Sequence, residues 1–300
     1  MKEQVMTPLP VHTRARDYLA LTKPWIVVLL LTTTLAAMFI AARGLPPLSI
    51  FFFTLLGGAC AAGGANALNS YIDRETDKVM ARTSRRPIPA GRISPRRALL
   101  FALSLCALSQ IILVAFVNVP SAVLSLIGII YYAYVYTVLL KRLTVQNIVI
   151  GGVAGAIPPL VGWAAVMGDL SLFAFYLFAI IFIWTPPHTW ALMLLVEKDY
   201  RRVGIPMLPA AWGEGEARNQ ILWYSLALVA ISIIPFALRE LSWMYLVFAV
   251  GAGGWFSMLA FYLWRDKDKA IARRLYRFSN YYLAAMFLMM VLDRSLFIAS

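Results

Sequence analysis

Nine stretches of this chain run for about 17–25 residues with almost no charge, and polar segments separate them. They cover roughly 25–42, 48–71, 98–117, 120–140, 147–166, 172–196, 219–238, 241–264 and 279–298. A helix rising about 1.5 Å per residue needs about 20 apolar residues to cross a hydrocarbon core of about 30 Å, so the pattern predicts nine transmembrane helices. Within each stretch the apolar residues are continuous and do not alternate. That excludes a β-barrel, the other architecture that satisfies its own backbone in lipid. The expected fold is all-α: a polytopic membrane helical bundle, with residues 1–24 as a cytoplasmic arm and 25–300 as a single nine-helix transmembrane domain. The arm contains Pro8, Pro10, His12, Arg14, Arg16 and Lys23 and lacks an apolar segment with a small-residue cleavage site, so it reads as retained and not as a signal peptide.

Composition sharpens this reading: 61% of the residues are hydrophobic and 14% charged, against about 45–50% and about 25% in soluble domains. Charge placement tests the span count independently. With nine spans, one side receives the N-terminus and the segments near 72–97, 141–146, 197–218 and 265–278. That side carries 24 of the 27 Lys and Arg, and the other carries only Arg43, Arg239 and Arg294. The positive-inside rule then places the N-terminus inside and the C-terminus outside, in a bacterial-type cytoplasmic (inner) membrane. Asp169, Glu240 and Asp293 balance the three outside cations, so the net charge of +13 lies on the inner face. Orientation and contact with anionic lipid account for that charge, and no nucleic-acid partner is expected. Cys60 and Cys106 lie inside apolar spans with no CxxC partner, which argues against a disulfide framework or a zinc site.

The inner segments near 72–97 and 197–218 are long and also hold clustered acids, which marks them as candidate lids. Each follows an even-numbered span, consistent with a distant internal duplication. The first begins in the second span. Asn69, Asp73 and Asp77 are spaced i, i+4, i+8, and on a helix they fall within about 80° of one face. Carboxylates one turn apart repel each other, and a divalent cation between them removes the penalty. Hard oxygen ligands favour Mg²⁺ or Mn²⁺, which bind through one or two carboxylates together with substrate phosphates. Arg82, Arg85, Arg86 and Arg92 follow at once, and guanidinium forks suit a metal-bound phosphate. The plain alternative is a solvated loop in which Asp and Arg pair with each other.

The fourth span ends in Tyr131, Tyr134 and Tyr136, followed by Lys141 and Arg142. By themselves these describe an interfacial aromatic belt with snorkelling cations. The sixth span contains Pro186, Pro187 and His188, then Glu197, Asp199 and Tyr200. The two prolines are expected to break that helix. If it restarts near His188, Asp199 lies three turns on, about 16 Å away with about 20° of drift, on the same face. This suggests a pocket with Asp199, perhaps joined by Glu197, as further metal ligand at the mouth, opposite Asp73 and Asp77, and His188 deep inside. A lone membrane histidine is equally a helix–helix hydrogen-bonding group.

The NxxxDxxxD string at the end of the second span resembles the first aspartate-rich motif of the UbiA prenyltransferase superfamily. The longer run from Asp73 through Met80, Arg82, Thr83, Arg86, Pro87, Pro89 and Gly91 is similar to its heme O synthase branch. So are Leu21-Thr22-Lys23-Pro24, the Tyr to Lys141-Arg142 segment with the later Gly151, Gly152, Pro158 and Pro159, and the His188 to Asp199-Tyr200 arrangement. The branch has Arg where this chain has Trp25, which speaks against a phosphate or propionate role there. The resemblance implies a UbiA-like bundle that transfers a farnesyl group from farnesyl diphosphate to the vinyl group of heme B, with Mg²⁺ (or Mn²⁺) as cofactor and heme B as substrate. It implies Asn69, Asp73, Asp77 and Asp199 as metal-binding catalytic residues, and Arg82, Arg86, Lys141 and Arg142 as diphosphate contacts. His188 and Tyr136 would face the heme acceptor, His188 as an axial ligand of its iron. Tyr131, Tyr134 and Tyr136 would wall an allylic cation. Partners implied are the lipid bilayer and heme A synthase or a terminal oxidase assembly. The rival readings are a UbiA enzyme acting on a quinone or chlorophyll precursor, and a transporter. Against the transporter, the carboxylates gather at one membrane face and not at the midplane.

Overall fold

The computed structural model describes residues 14–296. The first thirteen residues of the expected arm, His12 included, lie outside the described residues. Thirteen α-helices follow in order: α1 (Ala15–Thr22), α2 (Pro24–Ala42), α3 (Leu48–Ile72), α4 (Arg74–Val79), α5 (Pro95–Phe116), α6 (Val119–Ile130), α7 (Lys141–Leu143), α8 (Asn147–Met167), α9 (Leu172–Arg202), α10 (Leu208–Ala211), α11 (Gly213–Ala237), α12 (Trp243–Asp266) and α13 (Lys269–Leu296). A π-helix over Tyr131–Leu140 joins α6 to α7. Among the described residues nine helices are long and apolar enough to cross a membrane, with α6, the π-helix and α7 counted as one span, Val119–Leu143.

These nine match the nine apolar stretches, and the differences lie at their ends. Helix α9 continues to Arg202, α11 begins at Gly213 and α13 at Lys269. Much of the expected lid over 197–218 is therefore helical. A helix keeps its own hydrogen bonds after it leaves lipid, so the apolar run marks only the part inside the bilayer.

Pro186 and Pro187 do not break α9. Both are buried, and the helix runs through them. Packing on the neighbouring helices offsets the lost N–H donors, as it does in other membrane helices. The departure comes later, at Val196, whose backbone (φ −120°, ψ 17°) is non-helical. That kink turns the last residues of α9 out of phase with His188.

The main apolar core is shared by α2, α8, α9, α11, α12 and α13, with Trp190, Tyr245, Phe256 and Tyr282 fully buried within it. Helix α3 packs mainly on α5, with α1 laid across them in a smaller core around Leu21, Ile88 and Ile93. Asp293 ties α13 to the start of α12. Its carboxylate accepts from the Ser242 backbone N–H (2.9 Å) and hydroxyl (2.5 Å). Close approach of α2 and α8 needs a missing side chain. A Cβ on Gly162 would lie 2.2 Å from the Thr34 carbonyl oxygen.

Gly162→Ala is therefore expected to destabilise the protein by roughly 1–3 kcal/mol, read as a lower thermal midpoint in detergent. Ala substitution at Gly251, whose added Cβ would meet nothing within 4 Å, should leave the midpoint nearly unchanged.

Candidate active site

Helix α3 ends at Ile72, Asp73 occupies the joint, and α4 starts at Arg74. The turn is not lost at the joint. The Asp73 N–H donates to the Asn69 carbonyl (2.9 Å) and the Asp77 N–H to the Asp73 carbonyl (2.8 Å). Asn69, Asp73 and Asp77 thus stay one turn apart on one face, and all three are buried. They point into the protein, where low polarity makes uncompensated charge costly.

Each of the three meets a cation. Lys23 Nζ donates to Asn69 Oδ1 (2.6 Å), Lys141 Nζ to Asp73 Oδ2 (2.6 Å) and Arg86 to Asp77 Oδ2 (2.7 Å). Asn69 Nδ2 donates to Asp73 Oδ2 (2.9 Å) and to Thr137 Oγ1 (3.1 Å), which locks the amide orientation. One carboxylate oxygen, Asp73 Oδ1, is buried with no hydrogen-bond partner among the described residues. An orphaned anionic oxygen between an amide and a second carboxylate is what a hard divalent cation would complete. No group of three His, Cys, Asp or Glu side chains is gathered among the described residues. The donor set is accordingly a carboxylate pair with an amide, which leaves coordination for phosphate oxygens and water.

The fourth span reaches this group as a π-helix. Thr137 Oγ1 donates to the Tyr132 carbonyl five residues back (2.7 Å), and the Lys141 N–H to the Tyr136 carbonyl. Residues five apart therefore diverge by only about 50°, whereas in an α-helix they would diverge by about 140°. Such stretches are frequent at functional sites. The Tyr132 and Tyr136 rings stack at 5.8 Å, and Tyr136 lies on Gly151, where a Cβ would sit 2.3 Å from its ring. Of the three tyrosines of the expected aromatic wall, Tyr136 lies near Asp73 and Tyr200. Tyr134 is exposed on the outside of the bundle, and the Tyr131 hydroxyl is spent on the Ile150 carbonyl (2.9 Å). Tyr132, stacked on Tyr136, also lies near Asp73.

The remaining expected residues divide. Arg142 donates to Thr76 Oγ1 at 3.3 Å, at the rim. Arg82 is exposed and lies beside Tyr200, which is also close to Arg86 and Asp73. Asp199 does not join the cluster. It lines a small hollow with Glu197 and Lys269, and Glu197 pairs with Arg201. A regular helix from His188 would carry Asp199 on the histidine's face, but α9 departs from helical geometry at Val196, and Tyr200 lies near Arg86 and Asp73. His188 lies between Trp184 (4.1 Å) and Tyr276 (4.9 Å), against α13. Ser279 Oγ donates to the Tyr276 carbonyl (2.7 Å), so His188 Nδ1–H donates to Ser279 Oγ (2.6 Å). That tautomer leaves a lone pair on Nε2.

An apolar cavity of about 180 Å³ lies between α2, α3, the fourth span and α8, reaching Asn66, just under one turn along α3 from Asn69. Asn66 and Tyr132 line its upper part, Leu30 and Ala62 its walls, and Thr34 and Val161 its deeper end. From Asn66 to Gly58, both lining residues, the helix descends about 12 Å. A buried polar end rich in cations above a long apolar slot suits a phosphorylated lipid.

The family model for UbiA prenyltransferases matches residues 30–290. The chain belongs to the UbiA prenyltransferase family. It is 54% identical to a protoheme IX farnesyltransferase of Chloroflexus aurantiacus over 94% of its length, while spanning 48% of that protein. It spans about half of several such curated relatives. Others it covers almost whole: it is 49% identical to the protein of that name from Gloeobacter violaceus (92% of this chain, 91% of the relative) and 45% identical to that of Alkalilimnicola ehrlichii (98% of each). Among solved structures, a digeranylgeranylglyceryl phosphate synthase has the same fold at 17% identity (TM-score 0.79, 93% of this chain and 98% of that chain). A UbiA homolog from Archaeoglobus fulgidus bound to DMAPP and Mg²⁺ does so at 16% identity (TM-score 0.68, 91% and 99%).

For this UbiA chain, sequence reasoning missed Lys23. The Lys-Pro pair before the first span was its signal. Pro24 opens α2, and Lys23 adopts a left-handed backbone (φ 53°) that non-glycine residues seldom take. The strain delivers its ammonium to Asn69. Burial, then the nearby Arg86, pulls the Lys23 ammonium down to about 7, with Asp73 and Asp77 acting the other way. Lys23→Ala is expected to weaken binding of inorganic pyrophosphate with Mg²⁺ about tenfold, measured by calorimetry. Lys23→Gly relaxes the backbone but should show the same loss, because the ammonium is what matters.

Proposed function

We propose that the chain transfers the farnesyl group of farnesyl diphosphate to a vinyl group of heme B, giving heme O and diphosphate. The observation that carries this reading is the buried Asn69–Asp73–Asp77 face, ringed by Lys23, Arg86 and Lys141 and opening on an apolar slot. The relatives' shared name supplies the acceptor.

Asn69, Asp73 and Asp77 would hold Mg²⁺, with Asp73 Oδ1 as the free ligand oxygen. When bound, the ion supplies Lewis-acid neutralisation of the diphosphate. The chain's own groups do the rest. Lys23, Lys141 and Arg86 bind the diphosphate oxygens, with Arg82 and Arg142 at the rim, and stabilise their growing charge as the C1–O bond breaks and its electron pair leaves with diphosphate. The prenyl tail lies in the slot below Asn66. Tyr132 and Tyr136 present π-faces to the allylic cation while the surrounding apolar walls keep water away. The vinyl carbon supplies the electron pair of the new C–C bond. Water then captures the resulting cation and loses a proton, leaving a hydroxyethyl farnesyl substituent. His188 Nε2, with its lone pair free, is the acceptor-side contact. We place the active site on the inner face of a bacterial cytoplasmic membrane, from the charge asymmetry of the segments between spans.

Pigment analysis of membranes with and without the protein should show heme O only with it. Product from an aromatic acid but not from heme B would reject the acceptor. Asp73→Ala is expected to reduce turnover by on the order of 10³ or more with the protein still inserted, and wild-type turnover in excess EDTA would contradict the metal role. Gly155 lines the slot, and a Cβ there meets nothing within 4 Å. Gly155→Phe should therefore raise KM for farnesyl diphosphate about tenfold and favour a shorter donor. His188→Ala should raise KM for heme B and leave KM for the diphosphate unchanged. Equal effects on both would make the histidine structural.

A further inference from the structure

At the end of the bundle opposite the active site, a second hollow of about 320 Å³ is bounded by the ends of α2, α8 and α13, the start of α9 and the turn before α12. Arg43, Trp163, Ser171, Phe173, Glu240 and Arg294 line it. Nothing in the prenyl-transfer reading uses it.

Its polar groups are mostly donors, and two of them are unsatisfied. Arg294 is 5% exposed and Trp163 4%. Arg294 Nε and Trp163 Nε1 are both buried without a hydrogen-bond partner among the described residues. A buried N–H left unpaired is costly, and the two residues that carry these N–H groups line the same hollow. The Arg294 guanidinium lies over Phe173 (4.4 Å) and Trp163 (5.8 Å), which holds it rigidly. One of its terminal nitrogens donates to Glu240 (2.5 Å), and that leaves Nε uncommitted. The hollow also receives the first residues of the 31-residue helix α9, whose N-terminal end favours anions. Two guanidiniums against one carboxylate leave a positive excess on the walls. Asp293, next to Arg294, offsets part of that excess, but it does not line the hollow, and its oxygens face Ser242 and the Tyr245 N–H (3.3 Å) instead.

We propose that this hollow binds a phosphate-bearing anion, through Arg43, Arg294 Nε and Trp163 Nε1. The aromatic wall beside the guanidinium, at an end of the bundle that the charge asymmetry assigns to the outer leaflet, favours the phosphodiester of an anionic phospholipid. An oxygen of that phosphate satisfies both orphaned donors, and the acyl chains pass down the lipid-facing side. Such a lipid would join the ends of α2, α8, α9 and α13, whose inner ends enclose the catalytic half.

Native mass spectrometry of the full chain in detergent tests this, with dioleoyl phosphatidylglycerol, dioleoyl phosphatidylcholine and inorganic phosphate as separate probes. The wild type should retain phosphatidylglycerol in preference to phosphatidylcholine. Trp163→Phe keeps the ring and removes only the N–H, and it should weaken phosphatidylglycerol retention about tenfold; Arg43→Gln should do the same. Both variants should keep wild-type prenyl transfer. Arg294→Gln should lose the preference entirely, and if it fails to fold the other two variants carry the test. Displacement of the lipid by inorganic phosphate would keep the anion site and assign it to the free ion. Equal retention of the two lipids, or unchanged retention in Trp163→Phe and Arg43→Gln, would overturn the proposal.

Discussion

Charge compensation in a dry environment governs this structure. Two carboxylates and an amide at the end of α3 are removed from water, and each is met by a basic side chain from a different part of the chain: Lys23 before the first span, Arg86 after α4 and Lys141 at the end of the π-helix. Removing one member of such a set leaves a buried charge uncompensated. The contacts therefore fix the relative positions of α2, α3, the 80s loop and the fourth span. The same cations are available to a diphosphate, so the groups that hold the fold together at this end are those that would hold the substrate.

The local backbone departures serve that arrangement. A left-handed Lys23 and a π-helix over Tyr131–Leu140 are both departures from regular geometry, and both point a lysine at the α3 face. Above the cluster, Arg92 pins the 80s loop to α1 through Asp17 (2.8 Å), and its guanidinium holds that carboxyl below its usual range. Arg86 is thereby kept on a loop anchored at both ends, within reach of Asp77. Below the cluster, Gly58, Ala61, Ala62 and Ala65 line α3 where it faces the slot. Small residues there leave room for an apolar chain, while the larger side chains of α9, α11, α12 and α13 fill the main core.

Sequence alone determined the nine spans, their alternation and the placement of charge on one side, because the hydrocarbon thickness acts on every span separately and needs no knowledge of neighbours. It also determined that Asn69, Asp73 and Asp77 share a face, since that follows from helical spacing within one element. Tertiary structure decided the rest. The fourth span runs as a π-helix that brings Thr137 and Lys141 to the α3 face, and Tyr132 stacks on Tyr136 while Tyr134 is exposed and Tyr131 is held by Ile150. Val196 kinks α9 and brings Tyr200, not Asp199, to the cluster. Lys23 arrives from a turn that no periodicity describes. Each depends on a backbone irregularity stabilised by contacts between elements, and such contacts leave no regular trace along the chain.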